Sequence, residues 1–529
     1  MIEKLGVMVD CSRNAVLTVE ATKRFIDKLS FMGYHVLGLY TEDTFEVTGE
    51  PHFGCLRGRY TKAELKELDA YALSRGVMLK PYIQTLAHLN SIFLWDEYYA
   101  IQDIDDILLV EEERTYELID HIFQTLAECF TSREVNIGMD EAHRLGRGRY
   151  LEKHGYMSSL DIMQKHLKRV LDIATKYGFT CEMWGDMFYN MAYLTPNATQ
   201  QEIQGISDGI PANLKLAVWD YYGLEKENYI KEFGQYKRLS QNLTFAGGAI
   251  TWMGFCPDND YSIFAMEQAF RACEETGIKE AYLTAWGDDG GECSPFAVLP
   301  ALFAVSEFAK GNYDKVSIQE KFRKFTGIEF TTFCLLDEPN RVVPCDTLKF
   351  SNAAKYLLYN DVFLGRENRA AVSGRKEFFH VLADKLSQQS AHGEYGYIFK
   401  MEEALCRVLE NKYDFGVRLR KAYLSGDKKM LESLCEEMSE IQMRLRDFYT
   451  AFEKYWMTDK KPQGFDVQDI RLGGLLQRIA HCQQRLDGYL QGAIVTLPEL
   501  EEIPPEDTMD NPVNRYCCHY RIGVTANAI

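Results

Sequence analysis

Eight short apolar runs, each ending in polar or aromatic residues, recur along the first part of the chain. They alternate with longer segments in which apolar residues recur at helical spacing, such as Leu118, Ile119, Ile122, Phe123 and Leu126. Strand followed by helix, eight times over, predicts a (β/α)8 barrel, a fold of the α/β class. The runs are LGVMVD, HVLGLYTED, VMLKPYIQ, VNIGMDE, TCEMWGD, LKLAVWDYY, LTFAGGAITW and EAYLTAW.

A doubly wound open sheet is the alternative fold for such an alternation. It would leave the final strands without a closing partner, and no phosphate-binding GxGxxG follows the first apolar run. The GRG within RLGRGRY follows an acidic pair and is flanked by arginines, which indicates a loop and not a dinucleotide motif. The barrel is therefore the favoured fold.

From about residue 330 the strand pattern gives way to long amphipathic segments, for example MEEALCRVLENKYDFGVRLRKAYL. We expect a catalytic barrel over residues 1–330 and an α-helical C-terminal domain over 331–529. Proline and acidic residues in ELEEIPPEDTMDNPVNRY predict an extended surface tail within it. The helical domain has three open roles at this point: packing support, the surface of a homodimer, or contact with a substrate.

Charge restricts the partners. The 529 residues include 59 basic and 78 acidic side chains, a formal net charge of −19, so nucleic acid and anionic membranes would repel the chain. The first residues show no leader peptide and no run is long enough to cross a membrane, which predicts a cytoplasmic protein.

The 14 cysteines are scattered without CxxC spacing, and the histidines lack HxH or HxxxH spacing. We expect buried thiols and neither a metal nor another cofactor.

The ends of the apolar runs carry the candidate chemistry, because the loops after the strands of such a barrel converge on one face. Aromatic rings stack on the C–H faces of sugars and carboxylates bind hydroxyls or transfer protons, whereas a phosphate would call for Arg, Lys or glycine-rich loops. The set predicts a carbohydrate pocket. Its members are Asp10, Glu42, Asp43, His88, Asp140, Glu141, Trp184, Asp186, Trp219, Asp220, Tyr221, Trp252, Trp286 and Asp288.

The run NIGMDEAHRLG resembles the HxGxDE signature of glycoside hydrolase family 20, the β-N-acetylhexosaminidases, with Asp140 and Glu141 as its acidic pair. PYIQTLAHLN resembles the strand-three segment of the family, ending in His88, and HVLGLYTED resembles the strand-two segment, with Glu42 and Asp43. The resemblance extends over roughly residues 1 to 310, and it implies a form without the small α+β domain that usually precedes the barrel.

The chain also departs from the family pattern. Asn136 and Met139 stand in place of a histidine and a glycine of the family pattern, and the arginine that often precedes strand one to bind sugar hydroxyls would fall at Leu5. We expect Arg13, Glu292 or Asp288 to substitute for that arginine, and the sequence does not choose among them.

The resemblance implies a chemical reason for two adjacent carboxylates. Most retaining glycosidases use two facing carboxyls about 5 Å apart, a geometry that neighbours on one strand end do not suit. In a substrate-assisted enzyme the 2-acetamido oxygen of the sugar is the nucleophile. The resemblance implies Glu141 as general acid and base, Asp140 as the residue that orients the acetamido N–H, and Tyr221 as a donor to the acetamido oxygen. It implies Trp184, Trp219, Trp252 and Trp286 as pocket walls, with His88 and Glu42 as supporting residues.

The expected activity is removal of terminal β-linked GlcNAc or GalNAc from small oligosaccharides or glycoconjugate ends, with retention. Two alternatives stay open. One is a glycosidase with a direct carboxylate nucleophile on the same barrel, with Glu292 or Asp186 in that role. The other is a non-catalytic carbohydrate-binding protein, which the intact Asp140 and Glu141 disfavour.

Overall fold

Eight parallel strands close into a barrel in the computed structural model of the chain, which describes residues 1–191, 199–342, 348, 350–372, 374–505, 520–525 and 527. The strand β1 pairs with both β2 and β8, with Gly6 opposite Val36 and Tyr282, and this pairing closes the barrel. Each strand coincides with one of the eight apolar runs, with β1 and β4 beginning one residue before theirs, so the predicted fold is confirmed. The strands are β1 (Lys4–Asp10), β2 (Val36–Tyr40), β3 (Met78–Tyr82), β4 (Glu134–Asn136), β5 (Thr180–Trp184), β6 (Lys215–Trp219), β7 (Leu243–Gly248) and β8 (Glu280–Ala285).

Local sequence signals fix where the helices begin and end. The Thr18 hydroxyl accepts the Ala21 N–H to begin the first helix, and Gly33, with φ 87°, ends it in the left-handed conformation. Thr61 and Glu64 form a reciprocal capping box at the second helix. The helices as far as residue 326 are α1 (Val19–Met32), α2 (Lys62–Ser74), α3 (Glu113–Cys129), α4 (Arg149–His154), α5 (Ser159–Lys176), α6 (Asp186–Met191), α7 (Gln200–Ser207), α8 (Lys226–Lys237), α9 (Asn259–Thr276), α10 (Leu299–Phe308) and α11 (Lys315–Thr326).

The barrel interior combines aromatic rings with a buried ion pair. Tyr282 packs edge-on against Tyr82 and Trp184, with ring centroids 5.4 and 6.0 Å away. Lys80 Nζ lies 3.2 Å from Glu182 Oε1, and both side chains are at most 6% exposed. The interior is thus filled by side chains, as expected for an eight-stranded barrel.

The connection between β3 and α3 has structure of its own. It contains a two-stranded antiparallel hairpin, Gln102–Ile104 and Ile107–Leu108, and two 3-10 turns, Ile92–Leu94 and Asp96–Ile101. The apolar runs did not predict the hairpin, because its strands are only three and two residues long.

The C-terminal region is mainly helical, as predicted. Its longest helices, of 32 and 26 residues, pack on each other through Phe452, Trp456 and Phe465. Of the predicted tail, residues 499–501 end a short helix, and residues 506–516 lie outside the described part of the chain. The helices are α12 (Phe330–Phe333), α13 (Ala353–Tyr359), α14 (Lys376–Ser387), α15 (Gly396–Lys412), α16 (Phe415–Ser425), α17 (Lys428–Asp459), α18 (Phe465–Leu490), α19 (Pro498–Glu501) and α20 (Tyr520–Val524).

The chain divides into two compact units. The barrel unit comprises residues 1–249, 262–285 and 301–318, and the helical unit comprises residues 250–261, 286–300 and 319–529. The segments that directly follow β7 and β8 therefore group with the C-terminal helices. Among the described helices, none is both long and apolar enough to cross a membrane. The described cysteines are thiols, most of them buried, while Cys345, Cys517 and Cys518 lie outside the described residues.

Candidate active site

The acidic pair lies on a tight turn directly after β4. Gly138, Met139 and Glu141 all have positive φ, at 74°, 69° and 52°. Asn136 braces the turn from the strand end, because its Oδ1 accepts the Gly138 N–H at 2.8 Å while its Nδ2 donates to Glu182 at 3.0 Å. Asn136 stands where the signature has histidine, and it takes a backbone-holding role there.

Asp140 is a buried anion with both oxygens engaged. Gln84 Nε2 donates to its Oδ1 at 2.6 Å, and His88 Nε2 lies 3.2 Å from its Oδ2. Burial alone would raise the pKa of Asp140, but the positive His88 and the hydrogen bond from Gln84 outweigh it and hold the pKa below its usual value. The carboxylate is therefore fixed in place before any ligand arrives.

His88 is the cation of this cluster. Its backbone, with φ 58°, is held by a 2.9 Å bond from its N–H to Asp106 Oδ2. Burial lowers the pKa of His88, but the Asp140 carboxylate more than compensates and raises it to about 9. The imidazole is consequently charged at neutral pH, and its Nε2 also lies 3.6 Å from Glu141 Oε2.

Glu141 differs from its neighbour in exposure. Its side chain is 50% exposed, against 13% for Asp140. Adjacent residues on this turn point their carboxylates into different surroundings, one enclosed by protein and one open to solvent. An open carboxyl can reach a bound molecule, and an enclosed one can hold a fixed negative charge beside it.

A chain of polar contacts extends from Asp140 to the ends of β1 and β2. Gln84 Nε2 also donates to the Tyr40 hydroxyl at 2.9 Å, and that hydroxyl donates to Glu42 Oε1 at 3.1 Å. Arg13 lies 3.4 Å from Glu42 and 3.2 Å from Asp10. Burial raises the pKa of Glu42, and the positive charges of Arg13 and His88 oppose this.

Of the predicted site residues, the structure thus joins Arg13, Glu42, His88, Asp140 and Glu141 in one network. Sequence reasoning missed two members, Gln84 and Tyr40. Gln84 stands two residues past the end of β3, at the end of the apolar run VMLKPYIQ, and this position was the available signal.

The ends of β5 and β6 contribute aromatic rings and a third carboxyl. Trp219 stacks on Tyr221 with centroids 5.4 Å apart and planes inclined by 24°. Trp184 is only 1% exposed and belongs to the barrel interior. Asp186 Oδ2 accepts the Glu141 N–H at 3.4 Å.

Two sequence profiles match the chain and identify its family. The profile described as glycosyl hydrolase family 20, catalytic domain, matches residues 5–221, and the profile described as glycoside hydrolase 20C C-terminal domain matches residues 331–512. The chain belongs to glycoside hydrolase family 20.

Relatives within the family are distant and longer than the matched region. A beta-hexosaminidase from Akkermansia muciniphila is 25% identical over 167 residues, which is 26% of this chain and 34% of that protein. The beta-hexosaminidase subunit beta of Rattus norvegicus is 22% identical over 296 residues, 47% of this chain and 53% of that protein. The chain thus spans about half or less of the length of these curated relatives.

Among solved structures, a family 20 exo β-N-acetylglucosaminidase from Vibrio harveyi in complex with N-acetylglucosamine is similar with a TM-score of 0.48. The two chains share 16% sequence identity, and the similarity covers 63% of this chain and 58% of the other.

Four further predicted site residues of this family 20 chain, Trp252, Trp286, Asp288 and Glu292, lie in the helical unit. The Thr251 hydroxyl donates to the Trp286 carbonyl at 2.6 Å, and Trp252 and Trp286 are 3% and 9% exposed. The Glu292 side chain is fully buried, with its oxygens 2.6 Å from Lys355 and 3.1 Å from Arg471. Both oxygens of Glu292 are therefore already paired with cations. The Asp288 side chain is half-buried.

Proposed function

We propose that this family 20 chain is a retaining, exo-acting β-N-acetylhexosaminidase that removes terminal β-linked GlcNAc or GalNAc. The observation that carries the proposal is the contrast within the acidic pair. Asp140 is an enclosed anion held by His88 and Gln84, while the adjacent Glu141 carboxyl is half exposed. The beta-hexosaminidase names of the relatives support it.

Glu141 is the proton donor in the first step. Its carboxylic acid protonates the glycosidic oxygen as the C1–O bond breaks, and the acetamido oxygen of the sugar forms a bond to C1 from the opposite face. The product is a cyclic oxazolinium ion and a free leaving alcohol. Glu141, now a carboxylate, then removes a proton from water as that water attacks C1 and reopens the ring. Two inversions at C1 give net retention.

Asp140 stabilises the charge that develops on the acetamido group. Its carboxylate accepts the N–H of that group, and this interaction strengthens as the nitrogen acquires positive charge in the oxazolinium ion. Because Gln84 and His88 hold both oxygens in advance, little reorganisation is needed when the charge appears. His88 and Glu42 act as supporting residues, as the resemblance implied.

Substrate contacts complete the proposal. The stacked Trp219 and Tyr221 supply an aromatic wall, with the Tyr221 hydroxyl directed to the acetamido oxygen, and Arg13 binds sugar hydroxyls from the β1 end. Trp184, Trp252, Trp286 and Asp288 stay predictions as further ring contacts. Glu292 is left out of the proposed pocket because Lys355 and Arg471 occupy its carboxylate.

A cytoplasmic location and small oligosaccharide substrates are also proposed. The buried thiols of the described cysteines support a reducing compartment, where disulfides do not persist. The formal charge of −19 supports neutral substrates over polyanions. A homodimer and a domain boundary at residue 330 stay predictions.

The test is hydrolysis of the nitrophenyl β-glycosides of GlcNAc, GalNAc and glucose, with a thiazoline mimic of the oxazoline as inhibitor. We expect cleavage of the acetamido sugars only, inhibition by thiazoline, and a loss of at least about 100-fold in Glu141→Gln and in Asp140→Asn. Asp69→Asn is the matched control, since Asp69 is a buried carboxylate that holds the Thr131 N–H outside the site. Equal cleavage of glucose without thiazoline inhibition would favour a direct nucleophile, and no turnover would favour a binding protein.

A further inference from the structure

Asp186 connects three strand ends at the proposed catalytic pair. It lies two residues past the end of β5, begins α6 and is 6% exposed. Its Oδ2 accepts the backbone N–H of Glu141, which follows β4, and the Trp219 side chain at the end of β6 lies close enough to the same carboxyl to lower its pKa. The sequence marked Asp186 only as a strand-end residue and an alternative nucleophile, and the mechanism above gives it no role.

The backbone of Glu141 needs support from outside the turn. With φ 52° it adopts the left-handed conformation, which costs a residue other than glycine about 1–2 kcal/mol. Such a conformation persists only where surrounding contacts enforce it. The bond from the Glu141 N–H to Asp186 is a contact of this kind, and it fixes the direction in which the Glu141 side chain leaves the turn.

Charge around Asp186 favours its neutral form. Burial and the negative charge of Asp140 raise the pKa of Asp186 to about 7, and the Glu141 carboxylate acts in the same direction. From α8, Tyr236 lies close enough for the Asp186 charge to raise the pKa of its hydroxyl, after the larger effect of burial. The positive His88 is paired with Asp140, so a second buried anion at Asp186 would have no cation of its own among the residues of this cluster that the structure describes.

The two oxygens of Asp186 are suited to a carboxylic acid. Oδ2 accepts the Glu141 N–H, as a carbonyl oxygen does. Oδ1 is buried and makes no hydrogen bond to the part of the chain that the structure describes, which leaves it able to carry the proton.

We propose that Asp186 is a positioning residue for the general acid: as a neutral carboxyl it holds the Glu141 backbone through its N–H, directs the Glu141 side chain to the leaving oxygen, and leaves the buried negative charge to Asp140. The inference rests on the proposed hexosaminidase function. It predicts that the loss of kcat on replacing Asp186 grows as the leaving group needs more protonation in order to depart.

The test compares Asp186→Ala and Asp186→Asn on a series of aryl β-N-acetylglucosaminides whose leaving phenols range from strongly to weakly acidic. In Asp186→Ala we expect kcat to fall by about 3-fold or less on the dinitrophenyl glycoside, which needs little protonation, and by about 100-fold on the phenyl glycoside. Asp186→Asn keeps an acceptor oxygen without charge, so it should stay within about 3-fold of the wild type across the series.

Asp69→Ala and Asp69→Asn are the controls, because Asp69 is likewise buried, accepts a backbone N–H through Oδ2 and leaves Oδ1 without a hydrogen bond to the described residues. A loss in Asp186→Ala that is equal on every aryl glycoside would overturn the proposal, since it would reflect general damage. A loss in Asp186→Asn that grows as the phenol becomes less acidic would overturn it too.

Two further results separate the possible failures. If Asp186→Ala does not fold, Asp186→Asn alone decides whether a neutral acceptor is sufficient. If the wild type cleaves no acetamido sugar, the proposed function itself is wrong, whatever the variants do.

Discussion

At the scale of single residues, the ion pair between His88 and Asp140 couples the site to pH. Asp140 raises the pKa of His88 from about 6.5 to about 9, so the pair stabilises the fold fully below pH 6.5 and is lost as the pH rises through about 9. We expect the wild type to lose at most about 3 kcal/mol of stability between pH 6 and pH 9.5 from this source. His88→Gln should remove that loss, measured as thermal unfolding midpoints at the two pH values.

The control for this prediction is His154→Gln, since His154 is an exposed histidine on α4 outside the network. It should keep the pH dependence of the wild type. A pH dependence that is unchanged in His88→Gln would show that His88 does not carry this charge.

The sequence identified the acidic pair and His88 because these residues stand at the ends of apolar runs. It did not identify the contacts that give Asp140 and Glu141 different environments. Gln84, which encloses Asp140, is 56 positions away from it, and Asp186, which holds Glu141, is 45 positions away. Local spacing does not reveal environments that such distant partners build. The family resemblance implied the roles of the two carboxylates, and only three-dimensional contacts gave the physical difference between them.

At the scale of elements, the turn after β4 depends on a glycine that has no room for a side chain. A Cβ at Gly138 would lie 2.2 Å from Gln84 Oε1 and 2.7 Å from the Ile83 carbonyl oxygen, and φ is +74°. Gly138→Ala should therefore displace the contact between Gln84 and Asp140. We expect kcat for nitrophenyl β-GlcNAc to fall by about 100-fold and stability by about 1–3 kcal/mol.

Gly178→Ala is the matched control for Gly138→Ala. Gly178 has φ +76° on the loop before β5, and a Cβ there would meet nothing within 4 Å. It should cost about 1 kcal/mol of stability from backbone conformation alone and leave kcat unchanged. Equal kcat in both variants would mean that the turn tolerates a displaced Gln84.

Elements with a repeating pattern could be predicted, and those imposed by tertiary contacts could not. The barrel strands are apolar because both of their faces are buried, which makes the runs visible in the sequence. The turn from Gly138 to Glu141 contains left-handed residues other than glycine, for which the sequence gives no signal. The sequence likewise gives no signal for the short hairpin between β3 and α3, since strands of two or three residues form no pattern.

At the scale of the whole molecule, the alternation of strands and helices predicted the barrel and the loss of that alternation predicted the helical region. The grouping of residues 250–261 and 286–300 with the C-terminal helices was not predictable. It depends on pairs far apart in sequence, such as Arg471 with Asp289, which are 182 positions apart. Length and periodicity do not reveal which loop such a cation will bind.

The segment after β8 is held within the helical unit by buried cations, and this gives a prediction for the stability of that unit. Lys355 contacts Asp289 at 3.0 Å and Glu292 at 2.6 Å, while Lys460 donates to the carbonyls of Glu292 and Cys293 at 3.3 and 3.2 Å. Lys355→Met removes one partner from the fully buried Glu292 carboxylate. We expect it to cost about 3 kcal/mol, seen as a lower thermal midpoint.

The double variant Lys355→Met/Glu292→Gln tests the cause of that loss. If the cost comes from an uncompensated buried charge, neutralising Glu292 should restore more than half of the lost stability, because the penalty of an unpaired carboxylate exceeds the net value of the pair. Lys421→Met, at an exposed lysine on α16, should change nothing. A double variant less stable than Lys355→Met would instead show that Arg471 alone satisfies Glu292, and that Lys355 stabilises the segment chiefly through Asp289.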